Sequence, residues 1–64
     1  MKRKEMEKLL GKYGFKFIRS NKHLIYSNGV ISVALPSRTE FSRGLSRRIL
    51  QQCKFDKEFI QKII

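Results

Sequence analysis

The sequence is poor in the residues that build most enzyme sites. Its 64 residues include one cysteine, one histidine, one proline and five acidic side chains. A lone Cys53 cannot close an internal disulfide, and one cysteine with one histidine offers no zinc-ligand spacing. A free thiol fits a reducing cytoplasm, the expected location. No apolar run is long enough for a signal peptide or a membrane span, so no membrane partner is expected. A paired-carboxylate site would have to draw on Glu5, Glu7, Glu40, Asp56 and Glu58. Four of these read better as helix-end groups. Gly11 and Gly14 punctuate a helix and form no phosphate-cradling loop. No cofactor and no metal site is expected.

What remains is positive charge on one small domain, residues 1–64. The formal net charge is +10, from 15 Lys and Arg against 5 Asp and Glu. So basic a domain implies an anionic partner. The charge is unevenly placed. Residues 1–22 hold eight basic and two acidic side chains, residues 23–36 hold none, and residues 37–64 hold seven and three. A neutral centre is thus flanked by two basic regions in which apolar periodicity persists, as in a folded domain with basic surfaces.

The neutral centre reads as a β-hairpin. Asn28-Gly29 is the strongest hairpin signal, because both central residues of a type I′ turn need positive φ. A two-residue turn would pair Ser27 with Val30, Tyr26 with Ile31, Ile25 with Ser32, Leu24 with Val33 and His23 with Ala34. Alternation then puts Leu24, Tyr26, Ile31, Val33 and Leu35 on a core face, and His23, Ile25, Ser27, Val30, Ser32 and Ala34 on the other. Pro36 is expected to end the third strand, 30–35.

Before the hairpin, Met6, Leu9, Leu10 and Tyr13 form an apolar stripe that predicts a helix over residues 3–13, stopped by Gly14. Lys4, Lys8 and Lys12 line another face, fit for solvent or phosphate. Residues 15–19 read as the first strand, with Phe15 and Phe17 inward and Lys16 outward. After a polar loop at 37–42, Phe41, Leu45, Ile49 and Cys53 recur at i+4 beside Leu50, predicting a helix from Arg43 to Cys53. Arg43, Arg47 and Arg48 suit the positive end of its dipole poorly, which makes Ser42 to Arg48 a phosphate-site candidate. Asp56 is a candidate N-cap for a last helix, 57–64, with Phe55 and Ile60 as a hydrophobic staple. The apolar face of that helix either closes the core or docks another chain.

The order helix, three strands, helix, short helix predicts an α+β two-layer fold with helices on one face of an antiparallel sheet. It has the order of the double-stranded-RNA-binding domain and leaves the His23 face open. A histidine with nearby cations is enough for RNA cleavage. The substrate's own 2′-OH is the nucleophile, histidine is the side chain that ordinarily titrates near neutral pH, and arginine forks suit phosphoryl oxygens.

These residues resemble the HicA (YcfA-like) family of bacterial toxins over about residues 3–59. The resemblance rests on Glu5-Met6-Glu7-Lys8-Leu9-Leu10, then Tyr13-Gly14-Phe15, Arg19 ahead of the histidine, and His23-Leu24-Ile25-Tyr26. It continues in a strand ending at Pro36 and in Gly44, Arg47, Ile49, Leu50 and Gln52. It implies a small mRNA endoribonuclease with a double-stranded-RNA-binding-like fold, His23 as the catalytic residue, and a HicB-like antitoxin as protein partner. Phosphate contacts are expected from Lys16, Arg38, Arg43 and Arg47, joined by Arg19 and Lys22 beside the histidine. Two departures stand out. Asn21-Lys22 replace the family's usual Gly-Ser before the histidine. Ser37-Arg38 follow the proline where many members have another histidine, and Arg38 could supply charge there. The rival reading from the same residues is a non-catalytic basic module that binds RNA or DNA.

Overall fold

The computed structural model describes residues 1–64. The chain runs α1 (Arg3–Lys12), β1 (Lys16–Ser20), β2 (His23–Ser27), β3 (Ser32–Pro36), α2 (Arg43–Gln52) and α3 (Lys57–Ile63). The strands form an antiparallel sheet in the order β1-β2-β3. This is the expected α+β order, with each helix ending one residue earlier than its apolar pattern suggests. No helix is long and apolar enough to cross a membrane.

One face of the sheet carries the core. Val33 and Leu35 of β3 join Met6 and Leu10 of α1, Ile49 and Leu50 of α2, and Ile60 of α3, with Phe15, Phe41 and Cys53 from the segments between. Burying a side chain of this size stabilises by about 1.5–3 kcal/mol. In so short a chain, few residues carry the fold.

Local chemistry sets the ends of the elements. The Lys2 N–H donates to Glu5 Oε1 at 2.9 Å at the start of α1. Gly14, at φ +89°, ends it in the left-handed conformation that suits glycine. Ser42 Oγ accepts from the Leu45 N–H at 3.2 Å, and Asp56 Oδ1 from the Phe59 N–H at 3.2 Å, so each caps its helix. The end of α2 is unusual. Lys54 takes φ 65°, a place where glycine is the common choice. The segment 39–41 is strapped to the chain entering α1 by Arg3 N–H to Thr39 O, 3.0 Å, and Phe41 N–H to Met1 O, 2.8 Å.

The last helix closes the core. Ile60 is buried, and Ile63 and Ile64 pack against the cluster. Phe55 and Phe59 meet Tyr13 edge to face, each at 5.3 Å between ring centroids. Such pairs contribute about 0.5–1.5 kcal/mol beyond their burial.

Three details differ from the sequence expectation. The hairpin loop has four residues, 28–31, because Ser27 pairs with Ser32 and His23 with Pro36. Asn28 Oδ1 accepts from both the Val30 and Ile31 N–H groups, at 2.9 and 2.7 Å. That capture holds a wider turn and leaves Val30 90% exposed at its tip. Relative to a two-residue turn, the register moves by two residues, an even number, so every side chain keeps its expected face. Pro36 is the last residue of β3 rather than the one beyond it, which an edge strand tolerates. Phe17 shares the face of Tyr26, meeting its ring at 5.7 Å, yet is half exposed. It stands on the edge strand β1, whereas α2 packs over β3 at the opposite edge.

Cys53 lies in the core, and burial pushes its thiol up from 9.0 to about 11. Folding therefore favours the neutral thiol. Stability is expected to hold up to about pH 9 and to fall as pH rises towards about 11. Tyr26 acts in the same direction: burial, and then the Glu7 carboxylate, raise its phenol above 10.0 against the lowering effect of Arg3. Thermal melts across that range check this. In Cys53→Ala the part of the decline due to the thiol is expected to vanish.

Candidate functional site

The open face of the sheet is built by alternation and one bulge. On β2, His23, Ile25 and Ser27 point away from the helices, opposite Pro36, Ala34 and Ser32 of β3. Strict alternation along β1 from Phe15 and Phe17 would send Arg19 to the core side. The ladder instead pairs Phe17 with Tyr26 and Arg19 with Ile25, so the register shifts between them and Ile18 is the extra residue. Such a bulge re-aims the side chains beyond it. Arg19 is thereby placed on the face of His23, as its diagonal neighbour across the β1–β2 ladder. Diagonal neighbours lie ~7–8 Å apart, within reach of an arginine. Lys16, paired with Ser27, shares the face at the other end of β1.

Between these groups lies a shallow concavity of about 440 Å³. Ile25 and Ala34 form its floor, Ser27 and Ser32 one end, and Ile18 and Arg19 a side. Ile18 is 54% exposed, an apolar group left in solvent by the bulge.

His23 stands at the end of the sheet beyond this hollow. It is exposed, and its side chain makes no hydrogen bond within the chain. Its backbone is held: the His23 carbonyl accepts from the Asn21 N–H at 3.0 Å, which closes the β1–β2 turn. Ser37 Oγ donates to the Lys22 carbonyl at 3.2 Å, clamping the segment after β3 against that turn. Arg38 follows Ser37 directly, so it leaves the fold beside the end of β2. On the other side of Ser37, the Arg3 guanidinium donates to the Ser37 carbonyl at 3.4 Å and pairs with Glu7 at 3.3 Å. Arg3 was not singled out by sequence reasoning; only the folded chain brings α1 to the loop after β3. Around His23, Arg19 is the diagonal neighbour on β1, Lys22 precedes it in the chain, and Arg38 follows the residue clamped to the Lys22 carbonyl.

Arg43 and Arg47 are elsewhere. Both lie on α2 in the helical layer, behind the sheet from the His23 side chain. Arg43 borders a depression with Glu5, Ser46 and Ile63. Arg47 borders a groove between α2 and α3. The structure therefore splits the expected phosphate contacts into Lys16 and Arg19 on the open face of the sheet, Lys22 and Arg38 in the turn and loop at its His23 end, and a helical pair. Cys53, in the core behind the sheet, does not meet His23. Nowhere do three or more His, Cys, Asp or Glu side chains converge in a way that could hold a metal ion.

The sheet face can do limited chemistry. It offers one imidazole open to solvent, an arginine on the same face, and a shallow polar-rimmed hollow. That suits a flexible, extended, anionic ligand that supplies part of its own reacting geometry. No protein-family model, curated protein or solved structure matches the chain.

Proposed function

We propose that the chain is a metal-independent endoribonuclease of the HicA toxin type, acting on single-stranded mRNA at the His23 end of the sheet. The observation that carries the reading is the Ile18 bulge, which sets Arg19 on the same face as the sole histidine. His23 would take the proton of the RNA 2′-OH, or give one to the leaving 5′-oxygen. Arg19 and Arg38 would hold the phosphoryl oxygens as negative charge grows in the pentavalent state. Lys16 and Lys22 would bind neighbouring phosphates. Cleavage would leave a 2′,3′-cyclic phosphate or its hydrolysed form. A HicB-like antitoxin that covers this face is the expected protein partner, and the cytoplasm the expected location.

A second reading has an observation of its own. No carboxylate or carbonyl of the chain orients the His23 ring, as an orienting group does in many histidine-dependent sites. The same basic face would then bind RNA or DNA without cutting it. Induced expression in a bacterial host separates the two. On the ribonuclease reading the intact protein stops growth and shortens cellular mRNA, while His23→Ala accumulates harmlessly. Unimpeded growth with the folded protein at high level contradicts it.

A further inference from the structure

The groove between α2 and α3 has no part in the chemistry at His23, yet basic side chains gather there around apolar surface with no carboxylate among them, whereas the depression beside Lys8 and Lys12 includes Glu5. It encloses about 510 Å³. Arg47 stands on one wall, Lys54 at the corner where α2 ends, and Lys57 at the start of α3. Gln51 and Gln61 supply amides at the rim, and half-buried Phe55 with buried Ile60 forms an apolar floor. No carboxylate lines it. Asp56, between the two lysines in sequence, turns its Oδ1 back to cap α3 at the Phe59 N–H. Glu58 is exposed on the first turn of α3, outside the lining.

Lys54 gives an independent sign. It holds φ 65°, a conformation that strains any residue with a β-carbon. Glycine would satisfy the turn without strain, and would leave the corner uncharged. Strain kept at one residue, with its charge at the mouth of a groove, points to a use for that charge.

We propose that this groove is a second binding site for single-stranded RNA. Cations suit phosphates, an apolar floor suits the face of a base, and rim amides suit base edges. A duplex would hide the faces that the floor can cover. The choice of RNA rests on the function proposed above, although the groove's chemistry does not depend on His23.

The test uses the full chain carrying His23→Ala, so that RNA stays intact. Binding of a labelled single-stranded RNA of about ten nucleotides is followed by anisotropy between about 50 and 200 mM salt. Arg47→Gln/Lys54→Gln/Lys57→Gln is compared with Lys4→Gln/Lys8→Gln/Lys12→Gln, which removes equal charge from α1. The groove variant is expected to lose about tenfold or more in affinity, with a salt slope smaller by about 2, and the α1 variant clearly less. Equal losses, or none in the groove variant, overturn the proposal; unchanged RNA binding would leave the groove to an acidic protein. Lys54→Gly is expected to raise the Tm while weakening binding, and unchanged affinity in that variant counts against the proposal. Because only binding is read, failure here leaves cleavage at His23 standing, and absent cleavage leaves this result standing.

Discussion

Replacing His23 with alanine is expected to lower RNA cleavage by about 10²–10⁴-fold, the range for loss of a general acid or base. The Tm is expected to stay within the scatter of surface substitutions, about 0.5 kcal/mol in stability, because the imidazole is exposed and bonds to nothing in the chain. RNA binding should also persist, since the arginines proposed to hold phosphate are separate side chains on β1 and after β3. The combination matters. A structural histidine would cost stability, and a binding histidine would cost affinity; only a proton-transfer role predicts loss of rate alone. Full cleavage by His23→Ala would remove the centre of the account. Measuring single-turnover cleavage, anisotropy and thermal melting on the same preparation separates the three roles.

The second large effect is in the core. Leu50 is fully buried, with Met6, Leu10, Leu35 and Phe41 in the same cluster. Leu50→Ala is expected to cost about 2–5 kcal/mol, the sum of lost burial and the cavity left behind. A domain of this length has roughly 3–10 kcal/mol in all. The variant should therefore be largely unfolded at physiological temperature, or close to it. Urea titration should show a lower midpoint with little change in slope. Val30→Ala, at the exposed tip of the hairpin, should fall within about 0.5 kcal/mol of the parent. A Leu50→Ala cost below about 1 kcal/mol would mean that α2 does not pack on the sheet as described.

Much of this architecture is legible in the residues, and the exceptions have physical causes. The stripes Met6–Leu10 and Leu45–Ile49–Cys53 report helices because burial on one face imposes a 3.6-residue period. The capping role of Asp56 follows from orphan N–H groups at helix starts, whereas Glu5 reads only as a helix-end acid until the fold shows it accepting from the Lys2 N–H. The hairpin is clear from Asn28-Gly29, but its loop length is not. The Asn28 side chain competes for the Val30 and Ile31 N–H groups, a tertiary detail that no alternation pattern records.

The bulge at Ile18 is the more instructive case. Five residues of mixed character, Phe15 to Arg19, fit strict alternation, which would leave Arg19 on the helical side. Pairing with β2 overrides that, and it does so at a residue to which the proposed function gives a role. The resemblance singles out Arg19 and His23 by their order along the chain; the ladder puts the two on one face as diagonal neighbours. Arg43 and Arg47 show the reverse. Their sequence context suggests a phosphate site, and the fold sends them to the other layer. Lys54 is invisible in the sequence because nothing local marks it as the left-handed residue after α2.

The most direct test of the account compares a labelled single-stranded RNA with its all-DNA counterpart, each incubated with the intact protein in excess EDTA. The account predicts cleavage of the RNA to products ending in a 2′,3′-cyclic phosphate, with the DNA untouched, because the 2′-OH is the nucleophile and no metal takes part. RNA that is bound but intact, or cutting of both strands alike, would contradict it.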